Sequence, residues 1–118
     1  MNLVVMIGKE KEGLGQVSAL INRFETEKII IVKDKSVDSF PRNEKCAVGE
    51  VDCDSDLISL RDEIGEKIEK AIDRDFEVAL SMASGNGKEH MALLSALLSI
   101  PVGVKIVAYT KKGVEFIC

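Results

Sequence analysis

Residues 83–90 read Ala-Ser-Gly-Asn-Gly-Lys-Glu-His and stand between two apolar runs, Phe76–Met82 and Met91–Ile100. These residue types suit an anion. Glycine lets the backbone turn with positive φ and lets a ligand approach with no Cβ in the way, while free amides at the start of the next helix favour negative charge. Ser84 adds a hydroxyl, Asn86 an amide and Lys88 a point charge, so Ser84, Gly85, Asn86, Gly87 and Lys88 could together hold a phosphate and the polar edge of a base or ribose. The plainer reading makes Gly85 and Gly87 turn formers and Lys88 a solvated surface residue. A second loop of similar make-up, Gly8 to Gly15 ("GKEKEGLG"), offers Gly8, Lys9, Gly13 and Gly15.

His90 could serve as a general base near neutral pH, but the sequence identifies no partner for it, and a hydrogen-bonded or solvent-facing role is the expectation. Glu89 fits a first-turn acid that complements the helix dipole. Two sharper motifs fail on spacing. A P-loop needs a glycine five residues before Gly87, where Met82 stands, and a Ser or Thr after Lys88, where Glu89 stands, so ATP hydrolysis of that type is disfavoured. A dinucleotide fingerprint needs a third glycine after Gly13-Leu14-Gly15, and Ser18 occupies its place, so NAD binding is not supported.

The chain that must position these residues has 118 residues, 46% of them hydrophobic, which suits one core and one domain over 1–118. A net charge of −4 argues against a broad basic face for duplex nucleic acid. Cys46, Cys53 and Cys118 are odd in number and lack C-x-x-C spacing, so neither a zinc site nor a disulfide framework is supported; Cys46 reads as a strand residue and Cys118 as a frayed end. No metal or cofactor is expected. Nor is a membrane span or cleavable leader, which points to a cytoplasmic protein.

The short apolar run Leu3–Ile7 ends at Gly8 and predicts a strand buried on both faces. Val17, Leu20, Ile21 and Phe24 recur at helical intervals and predict a helix over Leu14–Glu25. Lys28–Val32 and Cys46–Val51 predict the next strands, with residues 33–45 left as an irregular crossover or a stunted helical turn anchored by Val37 and Phe40. Leu57, Leu60, Ile64, Ile68, Ala71 and Ile72 mark one face of a long helix. Its solvated face carries Glu63 with Lys67 and Glu66 with Lys70 at the favourable spacing of four. Phe76–Met82 predicts a fourth strand, Met91–Ile100 a helix stopped near Pro101, and Val104–Thr110 and Val114–Cys118 a hairpin turning at Gly113.

Alternation of strand and helix predicts an α/β fold: a Rossmann-like, mostly parallel sheet with a C-terminal β-hairpin. If the strand order is 3-2-1-4, the loops leaving the first and fourth strands flank the reversal, where such sheets leave a crevice. Those are the two glycine-rich loops. The helix "MALLSALLSI" is apolar nearly all round and must be covered all round, either by a second copy in a two-fold dimer or by the terminal hairpin of the same chain.

The stretch Leu80–Leu98, "LSMASGNGKEHMALLSALL", resembles the signature of CARF domains, the CRISPR-associated Rossmann-fold sensors: a buried strand, a [ST]-G-G-[TS]-K-like loop, then an apolar alanine- and leucine-rich helix. Ser84, Gly85, Lys88 and the helix from Met91 match, with Asn86 where the second glycine usually stands. The order of elements extends the resemblance over nearly the whole chain. It implies a homodimer of antiviral signalling that binds a cyclic oligoadenylate across its two-fold axis through the loops after the first and fourth strands. Some members also cleave the ring without metal, the ribose 2′-hydroxyl attacking the adjacent phosphate. On that resemblance Lys88 would stabilise the developing charge, and Ser84, Gly85, Asn86 and Gly87 would orient the ligand. The first loop lacks the serine or threonine that often assists there. Such sensors usually carry an effector domain, and this sequence stops at Cys118, which makes it a stand-alone sensor, a ring-cleaving or sequestering protein, or a piece of a longer chain. The rival reading is a small α/β interaction module without a nucleotide ligand.

Overall fold

The unbroken apolar runs become the central strands. In the computed structural model, which describes residues 1–72 and 77–118, β1 (Asn2–Ile7) and β2 (Ile29–Asp34) are buried along their full length, as strands covered on both faces must be. The remaining elements are α1 (Leu14–Arg23), β3 (Cys46–Val51), α2 (Leu57–Ala71), β4 (Glu77–Ser81), α3 (Gly87–Leu98), β5 (Gly103–Thr110) and β6 (Gly113–Phe116). The expected Phe76 end of the fourth strand lies outside the described residues.

The sheet order is β3-β2-β1-β4-β5-β6. Every pair is parallel except the β5–β6 hairpin. The order reverses between β1 and β4, as anticipated. Alternate residues of each strand feed two cores. Met6, Ile30, Val32 and Leu80 face α2 and α3, whereas Leu3, Val5, Ile31 and Ala79 face α1 and the loop after β2. In that loop, residues 35–45 form turns and no helix, and Val37 and Phe40 pack on the α1 core.

Two boundaries and the partners of one helix face differ from the sequence reading for local reasons. Helix α3 begins at Gly87 instead of Met91, because Asn86 and Glu89 form a capping box that starts the helix before its apolar stretch. Strand β2 runs on through Lys33 and Asp34, which are buried although charged. On α2 the Glu66–Lys70 pair forms at 2.9 Å, while Glu63 accepts the Asp52 amide at 2.6 Å.

The terminal hairpin does not cover the outer side of α3. Its Val107, Tyr109 and Val114 pack on the α1 core, and α3 lies beside α2 instead. Met91 and Leu98 stay 58% and 69% exposed beside Ile58 at 53%, around an apolar groove of about 450 Å³ that Arg61 and Leu94 also line. No described helix is long and apolar enough to cross a membrane.

Candidate functional site at the carboxyl rim of the sheet

The two glycine-rich loops touch. A Cβ on Gly13 would stand 1.9 Å from the Ala83 carbonyl oxygen, and one on Gly8 would stand 2.3 Å from Glu89 Oε1. Gly13 also holds φ +78° as it opens α1, a conformation that a side chain would strain. These two glycines therefore serve the approach of one loop to the other. Gly15 in the first turn of α1 and Gly87 at the start of α3 have no heavy atom within 4 Å of a built Cβ, so there the backbone itself is open.

Glu89 is the knot of the seam. It is 3% exposed, its Oε1 accepts the Asn86 amide at 2.8 Å, and its own amide donates to Asn86 Oδ1 at 2.9 Å. His90 Nε2 lies 2.9 Å from the Ser84 carbonyl oxygen, a structural bond of the expected kind. Gly85 turns between them at φ +107°. Ser84 is buried, and its Oγ has no hydrogen-bond partner among the described residues.

The cations of the rim converge on the β3–α2 turn. Lys88 Nζ donates to the Cys53 carbonyl oxygen at 3.0 Å, Lys9 pairs with Asp54, and Lys35 approaches Asp52 at 3.4 Å. The Asp54 carboxylate holds the Lys9 ammonium above its usual pKa. Asp34 fixes the turn from below, accepting the Cys53 amide at 2.8 Å, the Ser36 amide at 3.0 Å and the Ser36 hydroxyl. Burial pushes the Asp34 carboxyl upward, but the bonds from Ser36 and Cys53 outweigh it and hold the pKa at about 2. Burial, then the neighbouring Glu89 carboxylate, pushes the Cys53 thiol well above its usual range. Cys53 stays protonated and is no nucleophile.

Beside this seam, between the β1–α1 loop and Ser36–Pro41, lies a hollow of about 520 Å³. Ile7, Leu14, Val37 and Phe40 give it apolar walls, with Lys9 and Lys11 among its polar lining. Ser84 to Lys88 do not line it. Lys33 braces the far wall, its buried Nζ donating to the Val37 carbonyl at 2.6 Å and pairing with Glu50 at 2.7 Å. Such a hollow is within the usual size range for small ligands, about 300–1,000 Å³. The structure thus brings Gly8, Lys9, Gly13, Gly85 and Asn86 to one seam, with Lys88 reaching across to the β3–α2 turn.

Sequence reasoning missed Asp34, Lys33 and the Asp52–Asp54 turn. A signal existed in Asp34-x-Ser36, the spacing at which an aspartate side chain caps its own following turn. The burial of Glu89 had its signal too, since Asn86-x-x-Glu89 is a capping-box pattern with Asn in the cap position.

No protein-family model and no curated protein sequence matches the chain. Solved structures do match in fold. Protein VC1899 from Vibrio cholerae superposes with a TM-score of 0.65 at 14% identity, over 98% of this chain and 33% of that one. Enterococcus italicus Csm6 bound to cyclic hexa-2′-fluoro-hexa-dAMP superposes with a TM-score of 0.58 at 14% identity, over 90% of this chain and 32% of that one. The chain spans about a third of the length of these proteins. It shares the α/β fold of these structures, a six-stranded, mostly parallel sheet with an antiparallel C-terminal hairpin.

Proposed function

We propose that the chain is a CARF-like sensor that binds a cyclic oligoadenylate, two copies meeting along α3 so that their rims form one site. One observation carries the reading: at the topological switch point the loops after β1 and β4 meet, and Lys9 and Lys88 both turn toward the same β3–α2 turn. A rim with cations from separate loops suits a ligand that repeats its phosphates around a ring. The ligand held by the Csm6 structure supports this choice. The exposed stripe of Ile58, Met91 and Leu98 supports a two-fold contact, which would bring a second rim alongside the first. The resemblance sets such a sensor in CRISPR-linked antiviral signalling in the cytoplasm.

Ring opening in such a site needs no protein nucleophile. The ribose 2′-hydroxyl attacks the adjacent phosphorus, the 5′-oxygen leaves with a proton, and a lysine stabilises the charge that develops on the phosphate. Lys88 is the residue proposed for that role; to fill it, its amine exchanges the Cys53 carbonyl for a phosphate oxygen.

Titration of cyclic tetra- and hexa-adenylate into wild type and Lys88→Ala tests the reading. Wild type is expected to bind one ring per two chains. Lys88→Ala is expected to bind at least about ten-fold more weakly, the size of a lost charge-assisted hydrogen bond. Flat curves for wild type with both rings would leave an α/β interaction module, and binding of a mononucleotide in place of a ring would point to a nucleotide-using enzyme of another kind. Chromatography of the bound ring separates a sensor from a ring nuclease: a linear product that vanishes in Lys88→Ala marks cleavage.

A further inference from the structure

Three loops each send a lysine to one short turn. Lys9 from the β1–α1 loop pairs with Asp54, Lys35 from the loop after β2 lies 3.4 Å from Asp52, and Lys88 at the start of α3 bonds the Cys53 carbonyl. The turn that receives them is shaped by its own bonds. The Asp54 amide donates to Asp52 Oδ1 at 3.0 Å, the Ser55 hydroxyl donates to the Asp52 carbonyl at 2.7 Å, and Asp34 holds the Cys53 amide from beneath. Two carboxylates and a carbonyl oxygen are thereby presented outward to three ammonium groups.

Oxygens arrayed toward lysines from separate loops are what a phosphate would supply at the same rim. We infer that the Asp52–Asp54 turn is an internal stand-in for ligand phosphates: it occupies these lysines in the free chain, and an anionic ligand binds by displacing it. The inference rests on the proposed reading of the rim as an anion site. Two consequences follow from the chemistry. Solvated anions of low charge gain little by entering, because each must replace an ion pair already made. A ligand with several phosphates exchanges the pairs one for one and frees the turn. The freed turn leads into α2 at Asp56, so ligand occupancy loosens the start of the helix whose Ile58 and Arg61 line the apolar groove.

The experiment compares wild type, the double variant Asp52→Asn/Asp54→Asn, and the control Glu12→Gln, which removes an exposed acid from the β1–α1 loop. Asparagine keeps Oδ1 as the acceptor of the Asp54 amide, so the turn is retained. With cyclic tetra- and hexa-adenylate as probes, the double variant is expected to bind about five-fold tighter, in keeping with the small worth of exposed ion pairs, and Glu12→Gln within about two-fold of wild type, the effect of removing one screened surface charge outside the turn. In wild type, saturating ring is expected to speed amide hydrogen exchange at Asp54 and Ser55 while slowing it in the β1–α1 loop. Equal affinities for wild type and the double variant overturn the inference and leave the reading of the rim intact, as does an equal gain in Glu12→Gln or slower exchange in the turn. Flat curves for all three proteins overturn both.

Discussion

The loops after β1 and β4 look alike in composition and are built on opposite plans. Before α3, Asn86 and Glu89 consume each other's backbone amides, so part of the helix start is already satisfied. Before α1, Gly13 makes no side-chain cap and no acid stands in the first turn. The amides that invite an anion therefore lie on α1, while the second loop contributes a rigid corner and the reach of Lys88. Glycine count alone does not separate an open helix start from a sealed one; the residue three positions after the cap does.

The largest effect expected from this contrast is at the contact between the loops. Gly13→Val adds a β-branched side chain at φ +78° and drives its Cβ into the Ala83 carbonyl. A loss of about 3 kcal/mol or more in urea unfolding is expected, since strain and overpacking coincide. A loss below about 1 kcal/mol would mean that the loops part easily and the seam is no fixed feature.

Next comes the acid beneath the rim. The pKa of Asp34 is held at about 2, below the ordinary 3.8. Its stabilisation is fully present above about pH 5 and is lost as pH falls toward 2, amounting to about 2 kcal/mol from the size of the depression. Asp34→Ala orphans the Cys53 and Ser36 amides, so the variant is expected to be about 2–3 kcal/mol less stable than wild type at pH 7. The difference from wild type should shrink as the pH approaches 2. A difference independent of pH would show that the charge of Asp34 is not what holds the turn.

The architecture was legible because the strongest signals are periodic: buried β1, the 3.6-residue repeat of α1 and α2, and the turn at Gly113 gave the order of elements and the switch point. The site was legible in part. Lys88, Gly85 and Asn86 were visible as an unusual polar interruption between apolar runs. Their partners were not, because Asp34 and Cys53 are 19 positions apart and Lys88 and Cys53 are 35 apart, and contacts across crossovers leave no local pattern. Lys33 and Asp34 were hidden for a further reason: charged residues at the end of an apolar run read as a loop, and only the bonds that Lys33 donates to Val37 and Glu50, and that Asp34 accepts from Ser36, show why they stay buried in a strand.

The sealed plan predicts a smaller loss at its cap. Asn86→Ala removes the acceptor of the Glu89 amide and leaves Glu89 to hold the corner alone. About 1 kcal/mol of stability is expected to disappear, the ordinary worth of an N-cap side chain. Asn86→Asp keeps the acceptor but sets a second carboxylate against buried Glu89, so it should fall short of wild type as well. Full retention in Asn86→Asp would show that an acceptor oxygen is all that the cap position requires.

The open plan gives the smallest change in stability and the sharpest functional contrast. Gly15 lies inside α1, is exposed, and has nothing near a built Cβ. Gly15→Ala should therefore stabilise the fold by about 0.5–1 kcal/mol through helix propensity. If a phosphate approaches the bare amides of α1, the added methyl stands in its path, and ring affinity falls while stability rises. The matching change at Gly87, also open but next to a capped start, should leave affinity nearer to wild type. Opposite signs for stability and binding at Gly15 would locate the anion on α1. Parallel gains in both would move it off that helix and onto the lysines alone.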